Sequence, residues 1–153
     1  MNDEIFKEKL GELSERVLSK ALSEDEESNY TESLFESIRH VNEYGQEFWY
    51  ARELSKVLEY KDFRNFELTI FKAMEACENS GYQISDHFGE ITEMVPIGSG
   101  AQRGLKSYQL SRYACYLIVM NGDSSKKIIA LGQTYFAVKT RQQELIENFD
   151  DLS

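Results

Sequence analysis

The densest run of apolar positions along the chain lies between Ser111 and Glu147. Ala114, Cys115, Leu117, Ile118, Val119 and Met120 leave little room for a solvated face. That pattern predicts a helix buried almost all round. Ser111 is placed to cap it, because a serine hydroxyl accepts from an amide two or three residues on. Asn121 and Gly122 stop it, since both tolerate the left-handed backbone of a helix end. A second helix follows, capped by Asp123 or Ser124. Ile128, Ile129, Leu131, Tyr135, Phe136, Val138 and Leu145 keep one broad stripe of it apolar. So short a connection predicts an αα-hairpin. Gly132 inside that helix costs about 1 kcal/mol relative to Ala, which points to a close contact there.

Upstream the periods change. Phe6, Leu10, Leu13, Val17 and Ala21 recur every three or four positions, so residues 3–22 read as an amphipathic helix. Two readings stay open for it: packing on the chain's own core, or a seam for a partner or a homodimer. Residues 23–29 are acidic and lack apolar side chains, as a linker does. Ile38, His40 and Val41, then Asn42 to Gly45, then Phe48, Trp49 and Tyr50 suggest a β-hairpin. Trp49 reads as core rather than as a base-stacking platform. Ala51 to Leu58 reads as a short helix and Glu59 to Lys61 as a turn. Asp62 caps a longer helix through Cys77, with Phe63, Phe66, Ile70, Ala73, Met74 and Cys77 on one face. Residues 91–97 and 105–110 read as strands, joined by the glycine-rich loop Gly98 to Gly104.

Composition narrows the function. A chain of 153 residues suits one domain. No apolar run approaches a membrane span and the first residues are too charged for a signal peptide, so a cytoplasmic protein is expected. The net charge of -10 argues against a broad nucleic-acid surface, which needs Lys and Arg. The acidity is uneven, however. Residues 1–32 hold ten acids and four bases, and residues 33–153 hold seventeen acids and thirteen bases. The expected division is therefore an N-terminal helix with its acidic linker at 1–32 and a domain at 33–149. Cys77 and Cys115 are expected as buried free thiols. His40 and His87 stand at no ligand spacing, so no metal is expected. No catalytic constellation and no cofactor motif appear. The glycine loop is not a P-loop, because Leu105 stands where its lysine would be.

Short helix, tight turn, longer helix and then a hairpin is the order of a winged helix-turn-helix. In that motif the start of the second helix offers its side chains to base edges. Lys61, Arg64 and Asn65 would stand at the groove, with Lys72, Arg52 and Lys56 adding backbone contacts. Arg103 and Lys106 would ride on the tip of the β-wing. The bland alternatives are an ordinary αα-corner without the glycine expected in its turn, and a solvated hairpin loop.

The stretches 76–81 (ACENSG), 86–88 (DHF), 110–123 (LSRYACYLIVMNGD) and 132–145 (GQTYFAVKTRQQEL) resemble the bacterial DNA-damage-inducible protein D family. The N-terminal part of that family is similar to the BRO-N domains of viral and phage proteins. The likeness runs from about Phe35 to Glu147, and its longest blocks fall on the two helices at 111–147. It implies a DNA-binding module, tied to the DNA-damage response and to modulation of a RecA-type recombinase. The expectation is then an α+β, BRO-N-like domain with a β-hairpin, a helix-turn-helix, a β-wing and a C-terminal helical hairpin. Its expected role is non-enzymatic DNA binding, nucleoid-associated in the cell. The alternatives are an interaction module that binds a recombinase or partner protein without touching DNA, and a phage antirepressor-like regulator.

Overall fold

The computed structural model of the chain describes residues 31–152, with side chains described through residue 148. The expected helix at 3–22, the acidic linker and any homodimer seam lie outside the described residues. Helical residues 31–37 (α1) lead into β1 (His40–Val41) and β2 (Glu47–Tyr50). Then come α2 (Ala51–Val57), α3 (Phe63–Asn79) and a 3-10 turn at Ile84–Asp86. The chain closes with β3 (Phe88–Pro96), β4 (Gln102–Leu110), α4 (Arg112–Met120) and α5 (Lys127–Leu152). The fold is α+β, with one antiparallel sheet in the order β1-β2-β4-β3.

Helix α4 is the hub. It touches α3, α5, β2 and β4, and Ala114, Cys115 and Ile118 on it are fully buried. Only Met120, at its end, is exposed. The Ser111 hydroxyl accepts from the Ala114 amide at 3.0 Å, as a cap should. His87 Nδ1 lies 2.7 Å from the same oxygen, and the Ser111 amide donates to the His87 carbonyl at 3.0 Å. The cap is thereby tied to the chain just before β3, a contact between residues far apart in sequence.

The end of α4 differs from the expectation. Neither Asn121 nor Gly122 takes a positive φ. Asn121 instead returns its side-chain amide to the Leu117 carbonyl at 2.8 Å. Gly122 is required by closeness: a Cβ there would stand 3.0 Å from Ile129 Cγ2. Gly132 serves the same purpose one helix on, where a Cβ would stand 3.0 Å from Val119 Cγ1. The two glycines let α5 lie against α4. Asp123 closes a turn with Ser125 rather than capping α5, whose first backbone bond runs from Ala130 N to Lys126 O. Both cysteines are buried and free.

The short β1–β2 hairpin turns on Asn42, whose Oδ1 accepts from the Tyr44 and Gln46 amides, and on Gly45 at φ 78°. Trp49 on β2 is fully buried in the core. Its ring stacks on Phe35 at 4.5 Å and its Nε1 donates to the Phe35 carbonyl at 3.0 Å. The indole thus satisfies its one polar group where water cannot reach. Above it sits Arg112, the first residue of α4. Its Nε and Nη2 donate to the two oxygens of Glu47 at 2.9 and 2.8 Å, and its Nη1 reaches Glu36 at 3.2 Å. Arg39 adds a 2.8 Å bond to Glu47.

These donors, with the Arg112 fork first, hold the Glu47 carboxyl at a pKa of about 2, against some opposing desolvation. A carboxyl whose folded pKa lies below its unfolded value stabilises the fold above the unfolded value, and that stability is lost as pH falls through the folded one. Glu47→Gln should therefore cost on the order of 2 kcal/mol at pH 7 after allowance for partial solvent screening. The gap between wild type and variant should shrink as pH falls from 4.5 toward 2, in urea titrations at each pH. A gap independent of pH would show that this carboxylate is not the anchor.

Candidate nucleic-acid interface

The segment from α2 to α3 bends sharply at Leu58–Asp62. No glycine makes the bend; Glu59 adopts φ 61° in its place, a conformation uncommon for a residue with a Cβ. Other bonds hold it there. The Tyr60 amide donates to Ser55 O at 2.9 Å. From the α4–α5 connection, Lys126 donates to Glu59 O at 2.9 Å and sits 3.8 Å over the Tyr60 ring. Asp62 then caps α3, accepting from the Arg64 amide at 2.8 Å. Phe66, Ile70, Ala73 and Cys77 turn inward and are fully buried. Arg64, Asn65, Leu68, Phe71 and Lys72 are exposed along the outer face.

Sequence reasoning missed Leu68 and Phe71 as surface residues. The signal was present: neither shares the 66–70–73–77 spacing of the buried stripe. It also missed His87 at the α4 cap, which only tertiary placement reveals.

Beside this helix pair, β3 and β4 form a long hairpin, paired from Phe88↔Leu110 out to Pro96↔Gln102. Both strands begin three residues earlier than the apolar pattern suggested, β3 ends one residue sooner and β4 at the expected Leu110, so the tip shrinks to residues 97–101. Gly98, Ser99 and Gly100 carry its positive φ angles. Gly104 belongs to the ladder instead, where a Cβ would stand 2.8 Å from Thr92 Cγ2. The longer pairing moves both predicted wing cations off the tip. Arg103 pairs opposite Val95, one position in from the end of the ladder, and is exposed. Lys106 pairs opposite Thr92, well below the tip.

Lys106 is occupied there. Its Nζ lies 3.5 Å from Glu67 Oε2 on α3, an oxygen that also accepts from the Tyr108 hydroxyl at 2.9 Å. The Tyr108 oxygen first, and Glu67 after it, raise the lysine pKa. Burial raises that of the Tyr108 hydroxyl. Arg52 is likewise committed. Its Nε and Nη2 both donate to the Lys106 carbonyl, at 3.1 and 2.8 Å, and its guanidinium lies 4.0 Å over the Phe63 ring. These two predicted contacts therefore splice the hairpin to α2 and α3.

Between α2, the bend and the outer part of β3 runs an open groove of about 350 Å³. Lys56 and Lys61 line it with Tyr60 and Phe63, and Glu93 stands on the β3 wall. The groove therefore presents both signs of charge.

The cations divide sharply among the described residues. Arg39, Arg112, Lys139 and Arg141 are ion-paired elsewhere on the surface, and Lys126 holds the bend. Lys56, Lys61, Arg64, Lys72 and Arg103 have no side-chain partner, and all five lie on α2, the bend, α3 or the β3–β4 hairpin. Among the described residues no group of His, Cys, Asp and Glu side chains comes together as a metal set. No described helix is long and apolar enough to cross a membrane.

Comparison with known proteins follows this geometry. Residues 37–137, most of the described chain, match the model of the BRO family, N-terminal domain. The chain is also 56% identical over 114 residues to DNA damage-inducible protein D of Escherichia coli (strain K12). That alignment takes in 74% of this chain and 42% of the relative, so the chain spans about two fifths of that protein's length. No solved structure matches it significantly.

The split between occupied and unoccupied cations predicts a split in stability. Arg52→Ala should destabilise the fold by about 1–2 kcal/mol, through two lost charge-assisted bonds at a partly exposed site. Lys61→Ala and Arg64→Ala should each stay within about 0.5 kcal/mol of wild type. Urea midpoints decide; equal losses for all three would mean the partition is drawn wrongly.

Proposed function

The chain belongs to the BRO family through its N-terminal domain, and from that premise we propose that it is a non-enzymatic DNA-binding domain of the DNA-damage response. In this reading α2, the bend and α3 act as a helix-turn-helix, and the β3–β4 hairpin acts as its wing. Arg64 and Asn65, in the first turn of α3, face base edges in the major groove. An arginine can grip guanine with two bonds and an asparagine adenine in the same way. Leu68 follows on the same face and suits a thymine methyl. Lys56, Lys61 and Lys72 take phosphates, and Arg103 takes one from the hairpin. Arg52 and Lys106 hold the wing to the helices instead of meeting DNA.

The observation that carries this reading is the placement of all five unpartnered cations on α2, the bend, α3 and the β3–β4 hairpin. The name of the E. coli relative, a DNA damage-inducible protein, supports the cellular setting.

A second reading has its own support. Leu68 and Phe71 are large, apolar and exposed on the same face, and the net charge of -10 opposes a polyanion. An interaction module that docks on a RecA-type recombinase filament, or on a repressor in the manner of a phage antirepressor, would use such a face without touching DNA.

Titration of a short duplex at several salt concentrations separates the two. Contact by the unpartnered cations gives log affinity against log salt a slope of roughly -0.9 per phosphate, so between about -3 and -5 in total. Lys61→Ala with Lys72→Ala should flatten it by about 2. Removing residues 1–30, which are rich in acids, should raise affinity. An absence of duplex binding at low salt, with or without those residues, would sink the DNA reading. Binding to a protein filament lost with Phe71→Ala would install the second.

A further inference from the structure

The groove between α2, the bend and β3 is walled by residues between 52 and 96, all of them described. On its β3 wall stands Glu93, whose Oε2 is buried without a hydrogen-bond partner. Buried polar atoms are nearly always bonded, so this one needs a physical reason. The other carboxylate of the groove is occupied: the oxygens of Glu53 lie 3.2 and 3.1 Å from His40 Nε2. Cations are close at hand, yet none neutralises Glu93. Arg52 donates to a β4 carbonyl instead, and Lys56 and Lys61 have no side-chain partner among the described residues. The fold therefore keeps an acceptor and two cations apart across one groove.

A DNA strand offers a carboxylate one kind of partner. Its phosphates and sugar oxygens accept hydrogen bonds within the strand, and the donors are on the bases. A duplex is too wide for a groove of about 350 Å³, but one nucleotide suits it, since small-ligand sites start at about 300 Å³. Such a nucleotide is unpaired, with its Watson–Crick edge free. Guanine matches a carboxylate best, because its N1–H and N2–H₂ donors stand side by side and meet both oxygens. Thymine turns two carbonyls and one N–H the same way, so a carboxylate repels it. Tyr60 and Phe63, both half-buried, supply an aromatic wall for the ring, as single-strand sites do.

We propose that this groove holds one unpaired guanine nucleotide of a DNA strand, with the base edge on Glu93 and the phosphate on Lys56 and Lys61. The inference rests on the DNA reading and adds to it. The duplex meets α3, and a single nucleotide at its end enters beside the hairpin. An acid on a surface that recruits a polyanion thereby has a use: it reads a base where the lysines hold the backbone. Taking a base out of a stack costs least where it is already single-stranded, so the preferred DNA is a duplex with an unpaired end.

Fluorescence anisotropy of the full chain with three probes tests it: a blunt duplex, the same duplex with a short guanine overhang, and the same with a thymine overhang. The guanine overhang should bind about tenfold more tightly than the thymine one, within the range that one two-pronged base contact discriminates. Glu93→Gln should abolish that preference and leave the blunt duplex bound no more weakly. The urea midpoint of the variant should not fall, because the change removes an unpaired buried charge and no bond. Equal binding of the two overhangs, with the blunt duplex still bound, would overturn the inference and leave the DNA reading in place. So would a guanine preference that survives Glu93→Gln. Absence of binding to all three probes would remove both. Free guanosine monophosphate that displaces the guanine overhang at equal concentration would overturn the strand as the source of the nucleotide.

Discussion

A guanidinium at the mouth of the core holds this fold in register. Helix α4 is too apolar to face water, yet its first residue is Arg112, which cannot shed its charge. The structure resolves the conflict by bringing acids from two other elements to that one spot. Glu47 comes from β2 and Glu36 from α1, and the guanidinium lies 5.1 Å over the Trp49 ring. The first turn of α4, the second strand and the helix before it are thereby fixed together. Ser111, one residue earlier, joins the same helix end to His87 and the start of β3. With α4 so placed, its remaining faces receive α3 on one side and α5 on the other. Truncating Arg112 would strip the partly buried Glu47 carboxylate of its two-pronged partner and leave Arg39 alone to hold it, the costly half of a broken ion pair.

From that anchor outward, charge serves two purposes. Near the core, cations are spent on geometry: Arg52 on a carbonyl of β4, Lys106 on Glu67, Lys126 on the bend. Each links elements far apart in sequence, and together they set the angle between the helix pair and the β3–β4 hairpin. Farther out, Lys56, Lys61, Arg64, Lys72 and Arg103 are left to solvent. An acidic protein that binds a polyanion must hold its few uncommitted cations together, because repulsion from the rest of the surface weakens every long-range approach. The DNA reading rests on that grouping and on family membership.

The helices were legible in the sequence and the contacts between them were not. The all-apolar run at 114–120 and the 66–70–73–77 stripe announced α4 and α3, and Ser111 and Asp62 announced their caps. Gly132 marked a close approach before its partner, Val119, was known. Hairpin boundaries were harder. A glycine in a ladder looks the same in sequence as one in a loop, and only the cross-strand distance to Thr92 tells Gly104 apart from Gly98. The same blindness covers Lys106. Nothing local shows that Glu67, thirty-nine positions earlier, faces it from α3. Candidate contacts chosen by residue type alone therefore mixed structural cations with unoccupied ones.

Amide shifts measured by NMR while a short duplex is added test the central claim most directly. The account predicts changes at residues 56–72 and 97–104, with α5 and the Arg112 cluster unmoved. No shifts at low salt, or shifts centred on α5 instead, would contradict it.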